Sequence, residues 1–243
     1  MYKIILIAAI MPAIVLLYYI WRRDKYQHEP VRELLKGFGY GALAVFIAGP
    51  VEVLLQMVGF SVAEPHTWLG AAWNAFFGVA VVEEGVKLFF LWLLLRKNPL
   101  FDEHVDGVVY AVAIGMGFAA VENIGYLFGN LNMWQSVAVS RAVFSVPGHF
   151  MFAVAMGYYY SLNHFAHITK ADRYKVLLMP VLLHGIFDSL LMMSSVTPQW
   201  GGVLWLAFVA FCLTLPGMAK HHINTLLARD REKQDYIRVK SAE

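Results

Sequence analysis

The sequence predicts an all-α, polytopic transmembrane helix bundle of about seven spans, and three observations carry that expectation. Of the 243 residues, 59% are hydrophobic and only 15% charged, too little polar surface for a water-soluble domain. The apolar residues fall into stretches of about 20, the length an α-helix needs to cross a bilayer. Basic residues and tryptophans mark alternate ends of those stretches, as the two faces of a membrane require.

The first span runs near Tyr2 to Ile20; it lacks a small-residue cleavage site and is long enough to cross, so it is expected to stay as an anchor. The second, near Phe38 to Val58, contains Glu52, and the third, near Ala71 to Leu95, contains Glu83, Glu84 and Lys87. In the fourth, near Gly107 to Phe128, the small residues Gly115, Gly117, Ala119 and Ala120 precede Glu122 and allow close helix approach. The fifth runs near Ser136 to Leu162 and the sixth near Val176 to Met193. Pro147 lies two residues before His149 and Pro180 four before His184, so both spans are expected to kink close to their histidines. The seventh, near Gly202 to Ala219, holds Cys212, the sole cysteine, which excludes an intrachain disulfide and a thiolate metal cluster. With no strong internal repeat and no long linker, the expectation is a single bundle over residues 1–219 and a basic cytoplasmic tail over 220–243.

Lysines and arginines follow the first, third, fifth and seventh spans, whereas the loops 59–70, 129–135 and 194–201 contain none. By the positive-inside tendency the amino terminus is extracytoplasmic and the carboxyl terminus cytoplasmic. Trp68, Trp134 and Trp200 lie in the uncharged loops, where an aromatic belt at the outer interface would place them.

The informative residues are the polar ones inside the spans: Glu52, Glu83, Glu84, Lys87, Glu122, Arg141, His149, His184 and Asp188. An ionised group at the bilayer centre costs at least about 2.5–3.5 kcal/mol, so such groups are tolerated where they face one another. Acids exceed bases, so either some carboxyls hold protons or a cation sits among them. Glu83 and Glu84 stand four and three residues before Lys87, which puts acid and base on one helical face. Phe118 and Glu122 are four apart, as are His184 and Asp188, a spacing that lets Asp188 orient the imidazole. Arg141, near the outer interface, is expected to snorkel or to be structural. Lys87 is as well explained by a structural clamp as by catalysis, and Glu52 by a hydrogen bond to a neighbouring helix. Glu83, Glu84, Glu122, His149, His184 and Asp188, spread over four spans at compatible depth, point to function.

No H-E-x-x-H, G-x-S-x-G, P-loop or dinucleotide fingerprint is present. Carboxylates and histidines facing an outer pocket can still activate water, with a Glu as general base or through a metal that lowers the pKa of bound water.

The order of these motifs resembles the PrsW family of intramembrane proteases, relatives of the CAAX-processing and bacteriocin-immunity membrane proteases. The resemblance rests on Glu83-Glu84-Gly85-Val86-Lys87, on Phe118 to Glu122, on His149 and on His184 to Asp188, one motif per span over Ala71 to Met193. It implies a bacterial plasma-membrane endopeptidase acting on a membrane-anchored protein near the extracytoplasmic face, an anti-sigma factor in described members. It further implies Glu83 or Glu84 as the water-activating base, with Glu83 favoured. Glu122, His149 and His184 would assist or ligate zinc, and Asp188 would orient His184. Zinc and a metal-free glutamate mechanism both remain open on the sequence. No nucleic-acid partner is expected; the lipid bilayer is. Two other readings stand beside the protease: a catalytically silent membrane scaffold, and a proton- or cation-coupled transporter.

Overall fold

The computed structural model describes residues 1–62, 64–166 and 170–240. Its described residues form seven helical rods and no strand. The first two are α1 (Tyr2–Arg23) and α2 (Val31–Met57). Helix α3 (68–95) joins α-helical Trp68–Trp73, a π-helical stretch Asn74–Ala80 and α-helical Val81–Leu95. Helix α4 is Asp106–Gly129. Helix α5 (Leu131–Phe165) contains a second π-helical stretch, Arg141–Ser145. Helices α6 (Lys170–Val196) and α7 (Gly201–Lys240) complete the bundle. Among the described residues, six helices are long and apolar enough to cross a membrane. The remaining rod, α3, is the one that carries Glu83, Glu84 and Lys87.

Helix α4 is the axis of the bundle, buried along most of its length and packed against α1, α2 and α5. Its small residues explain how. A Cβ on Gly117 would lie 2.0 Å from the Phe38 carbonyl oxygen of α2, so the two backbones touch where only glycine fits. Near the start of α4, a Cβ on Gly157 of α5 would lie 2.4 Å from the Gly107 oxygen. Large apolar side chains of the outer helices, such as Ile7, Val15, Leu35 and Phe46, remain exposed, as lipid contact requires and water would not tolerate.

Two elements extend past the apolar runs. Helix α2 starts at Val31, directly after Pro30, because the intervening Arg32, Glu33 and Lys36 sit comfortably in a helix that has left the apolar layer. Helix α7 continues without a break through the polar segment that follows Ala219. Ile223 and Leu226 there are buried in the main core, and buried Asp230 accepts hydrogen bonds from the His104 and Val105 amides at the start of α4. Helix α7 therefore runs through position 220 without interruption.

Both π-helical stretches end shortly before site residues, Asn74–Ala80 ahead of Glu83 and Arg141–Ser145 ahead of His149. Such widened turns re-aim the side chains that follow. The second stands directly before Val146-Pro147, where the proline has no N–H to give to the preceding turn. Helix α6 passes through Pro180 and remains a continuous helix.

Candidate active site

Six side chains expected from the sequence converge at one level between α3, α4, α5 and α6. Glu83, Glu84 and Lys87 project from one face of α3, and the Lys87 ammonium donates to Glu83 Oε2 at 2.9 Å and to Glu84 Oε1 at 2.8 Å. All three are buried, as is His149, whose Nδ1 lies 3.4 Å from Lys87 Nζ. The ring of Phe118 closes the fourth side of the ammonium, 3.9 Å from Nζ, a cation–π contact that replaces part of the lost hydration. Lys87 thus pairs with both glutamates on its own helical face.

The two histidines are held in the same way. His149 places Nε2 2.9 Å from Glu122 Oε2, and His184 places Nε2 3.3 Å from Asp188 Oδ2. Each imidazole therefore has an outer carboxylate on Nε2 and turns Nδ1 toward the glutamate pair, with His184 Nδ1 2.9 Å from Glu84 Oε1 and 4.0 Å from Glu83 Oε2. For His149 the outer carboxylate on Nε2 fixes the tautomer and leaves Nδ1 as an acceptor, whereas His184 faces a carboxylate oxygen from each ring nitrogen. Since Lys87 is a donor only, Nδ1 of His149 is the acceptor in that contact and its Nε2 carries the proton.

Arg141, expected to snorkel or to be structural, turns inward. Its Nη2 lies 2.5 Å from Glu122 Oε2, its Nε donates to Asn123 Oδ1, and its guanidinium covers the Tyr126 ring. Asn123 in turn donates to the Ala9 carbonyl of α1, so the chain of contacts that ends at His149 begins on the first helix. Neither Arg141 nor Asn123 was expected as a site residue. The available signal was depth: Arg141 and Glu122 both fall near the outer ends of their spans, and a buried acid needs a base at its own level.

These groups line a cavity of about 430 Å³. Glu83, Glu122, His149, His184 and Asp188 contribute to its wall, and so does Glu52; Glu84 is 1% exposed and lies behind them. The lining also includes the aromatic side chains of Phe144, Phe187, Trp205 and Phe208.

The four residues whose ligand atoms all lie within 4.8 Å of one another are Glu83, Glu84, His149 and His184. Carboxylate and imidazole donors of this kind suit zinc. Glu122, expected with the two histidines as a ligand, lies instead on the outer side of His149, because that imidazole spends Nε2 on it. The Lys87 ammonium is within hydrogen-bond distance of three of the four inner residues, so it occupies the place that an ion held by them would take.

A profile of the PrsW family intramembrane metalloproteases matches residues 29–215. The chain belongs to the PrsW family. A protease PrsW of Clostridioides difficile (strain 630) is 37% identical over 205 residues, covering 83% of each chain. That of Geobacillus kaustophilus is 35% identical over 206 residues, 84% of this chain and 85% of its own. That of Bacillus subtilis (strain 168) is 33% identical over 193 residues, 77% and 82% of the two chains. No solved structure matches the chain significantly. Membership makes this PrsW-family chain an intramembrane protease and a multi-pass protein of the bacterial plasma membrane. The matched residues include every motif from Glu83 to Asp188.

Proposed function

We propose that Glu83, Glu84, His149 and His184 form the hydrolytic centre of this protease, with Glu122 and Asp188 orienting the imidazoles and Arg141 positioning Glu122. The observation that carries the proposal is the matched arrangement of the histidines: each has Nε2 on an outer carboxylate and Nδ1 toward the glutamate pair, beside one cavity.

Glu83 is the base. It reaches the cavity while Glu84 does not, and a base must touch the water it deprotonates. Glu83 takes a proton from water, the water oxygen bonds to the scissile carbonyl carbon, and the same proton passes to the amide nitrogen as the C–N bond breaks. The products are one carboxylate and one amine, and Glu83 is regenerated. Glu84 fixes His184 and Lys87 from behind.

The metal is zinc. Glu84, His149 and His184 would hold it, a His₂Glu set that leaves a position open. When bound, zinc lowers the pKa of a coordinated water toward neutrality and polarises the carbonyl. Access for the ion requires the Lys87 amine to withdraw from its partners.

The substrate is a membrane-anchored protein, with an anti-sigma factor as the first candidate, cut near the extracytoplasmic face. The amino terminus is extracytoplasmic, residues 1–219 act as one protease bundle, and residues 220–243 lie on the cytoplasmic side. The aromatic lining of the cavity suits the apolar side chains of a transmembrane segment.

The test is cleavage of a membrane-anchored protein by purified enzyme in liposomes. Glu83→Gln and His184→Ala are expected to abolish hydrolysis while membrane insertion is unchanged; full cleavage by either variant overturns the assignment.

A further inference from the structure

We infer that the chain carries a second site, for a hard divalent cation such as Mg²⁺ or Ca²⁺, built from Asp24, Glu103 and Asp106 at the end of the bundle opposite the hydrolytic cavity. One ligand atom from each carboxylate lies within 4.8 Å of the others. The site is distinct from the hydrolytic centre: Asp106 opens α4 and Glu122 lies 16 residues further on, about 24 Å along a straight helix.

Convergence of acids alone would not point to an ion. What does is the pattern of satisfied and orphaned oxygens. Asp24 accepts from the Glu29 amide with Oδ2 at 3.1 Å. Asp106 accepts from the Asp102 and Glu103 amides with Oδ2 at 3.0 and 2.7 Å. Glu103 accepts from Gln234 with Oε1 at 3.2 Å. In each case the other oxygen, Asp24 Oδ1, Asp106 Oδ1 or Glu103 Oε2, is buried and receives no hydrogen bond from an N–H or O–H donor; the Glu29 carboxyl is the neighbour of Asp106. The three side chains belong to residues only 0%, 1% and 2% exposed. Among the described residues no lysine or arginine forms an ion pair with any of them.

Three orphaned carboxylate oxygens out of water are costly unless something positive lies among them. A cation among the three carboxylates is the complement that such oxygens call for. All-oxygen donors are the preference of Mg²⁺ and Ca²⁺, and oxygens on opposite sides of Ca²⁺ stand about 4.6–5.2 Å apart. Such an ion would tie together the α1–α2 connection, the α3–α4 connection and, through Gln234, helix α7.

Tb³⁺ added to the full-length protein in detergent, with excitation through tryptophan, tests the site. Trp21 donates its indole N–H to the Glu29 carbonyl at 3.0 Å, next to Asp24, and is the sensitiser. The expected result is saturable Tb³⁺ emission competed away by Ca²⁺ or Mg²⁺, mostly lost in Trp21→Phe and lost in Asp24→Asn/Glu103→Gln. Absence of saturable emission from the wild type overturns the inference. So does emission that Trp21→Phe leaves unchanged, which would place the ion elsewhere. Should the double variant not fold, the Trp21→Phe comparison decides alone, because that change leaves every carboxylate in place.

Discussion

The Nε2 atom of His149 lies 2.9 Å from Oε2 of Glu122, and this contact decides which nitrogen of the imidazole faces the cavity floor. Glu122 is itself held by Arg141, so the orientation of His149 is set from outside the group of inner donors. Removing a carboxylate that orients a ligating or catalytic histidine typically lowers affinity or activity by about 10–100-fold.

The first prediction follows. Glu122→Gln and Asp188→Asn are each expected to cut the rate of hydrolysis by about 10–100-fold with little change in thermal stability. Steady-state cleavage beside a melting curve checks it, and wild-type rates in both variants would remove the orienting role.

Lys87 supplies the second. It is bracketed by Glu83 and Glu84 and buried with them. Deleting one partner from a buried ion pair costs about 3–5 kcal/mol. Lys87→Met is therefore expected to destabilise the metal-free protein strongly, and added zinc is expected to restore more stability to this variant than to wild type. Thermal unfolding in detergent with and without zinc measures both. An unaltered melting temperature in metal-free Lys87→Met would show that the ammonium is not the resident counter-ion.

Helix contacts give a third, with an internal control. A Cβ at Gly117 meets the backbone of α2 at 2.0 Å, whereas one at Gly85, inside the Glu83–Lys87 motif of α3, meets nothing within 4 Å. Gly117→Ala is expected to lose at least about 1–3 kcal/mol. Gly85→Ala is expected to be neutral or to gain up to about 1 kcal/mol from helix propensity. Yield of folded protein and melting temperature separate the two, and equal behaviour would refute the close α2–α4 approach.

Much of this was legible in the sequence because membranes impose simple rules. The spans could be placed since apolar length is dictated by bilayer thickness. Glu83, Glu84, Glu122, His149, His184 and Asp188 stood out since polar groups in a span seldom lack a function. What escaped was set by long-range geometry. Arg141 shares its depth with Glu122, but only the path of α5 shows that it turns inward toward that carboxylate instead of snorkelling. Assignment of Glu122 or Glu84 to the inner donors depended on which nitrogen His149 presents, and spacing along one helix does not reveal that. The acid cluster of Asp24, Glu103 and Asp106 assembles loops 79 and more residues apart, so no local pattern announced it. Helix α7 beyond Ala219 reads as polar, and its packing rests on Ile223, Leu226 and Asp230, too few to shift composition.

That acid cluster yields a fourth prediction, on pH. Asp24 and Glu29 are raised by burial from 3.8 and 4.5 to about 6 and about 7. Their neighbours are Asp102, Glu103, Asp106, Asp230, His104 and the Tyr110 hydroxyl that donates to Glu29. The folded state holds these protons more tightly than the unfolded state. Its stability contribution is therefore complete below pH about 4 and lost as pH rises through about 6 to 7. In chelator-treated samples the melting temperature is expected to fall over that window, and Asp24→Asn is expected to flatten the fall. A melting temperature that rises across the same window would contradict the sign.

The most direct measurement is the metal content of detergent-purified protein by elemental mass spectrometry, for wild type and for His149→Ala/His184→Ala, alongside cleavage of a membrane-anchored substrate. About one zinc per chain, lost in the double variant together with hydrolysis, is the result predicted for a centre built on Glu83, Glu84, His149 and His184. Undiminished cleavage by the double variant, with the same zinc content as wild type, would contradict it.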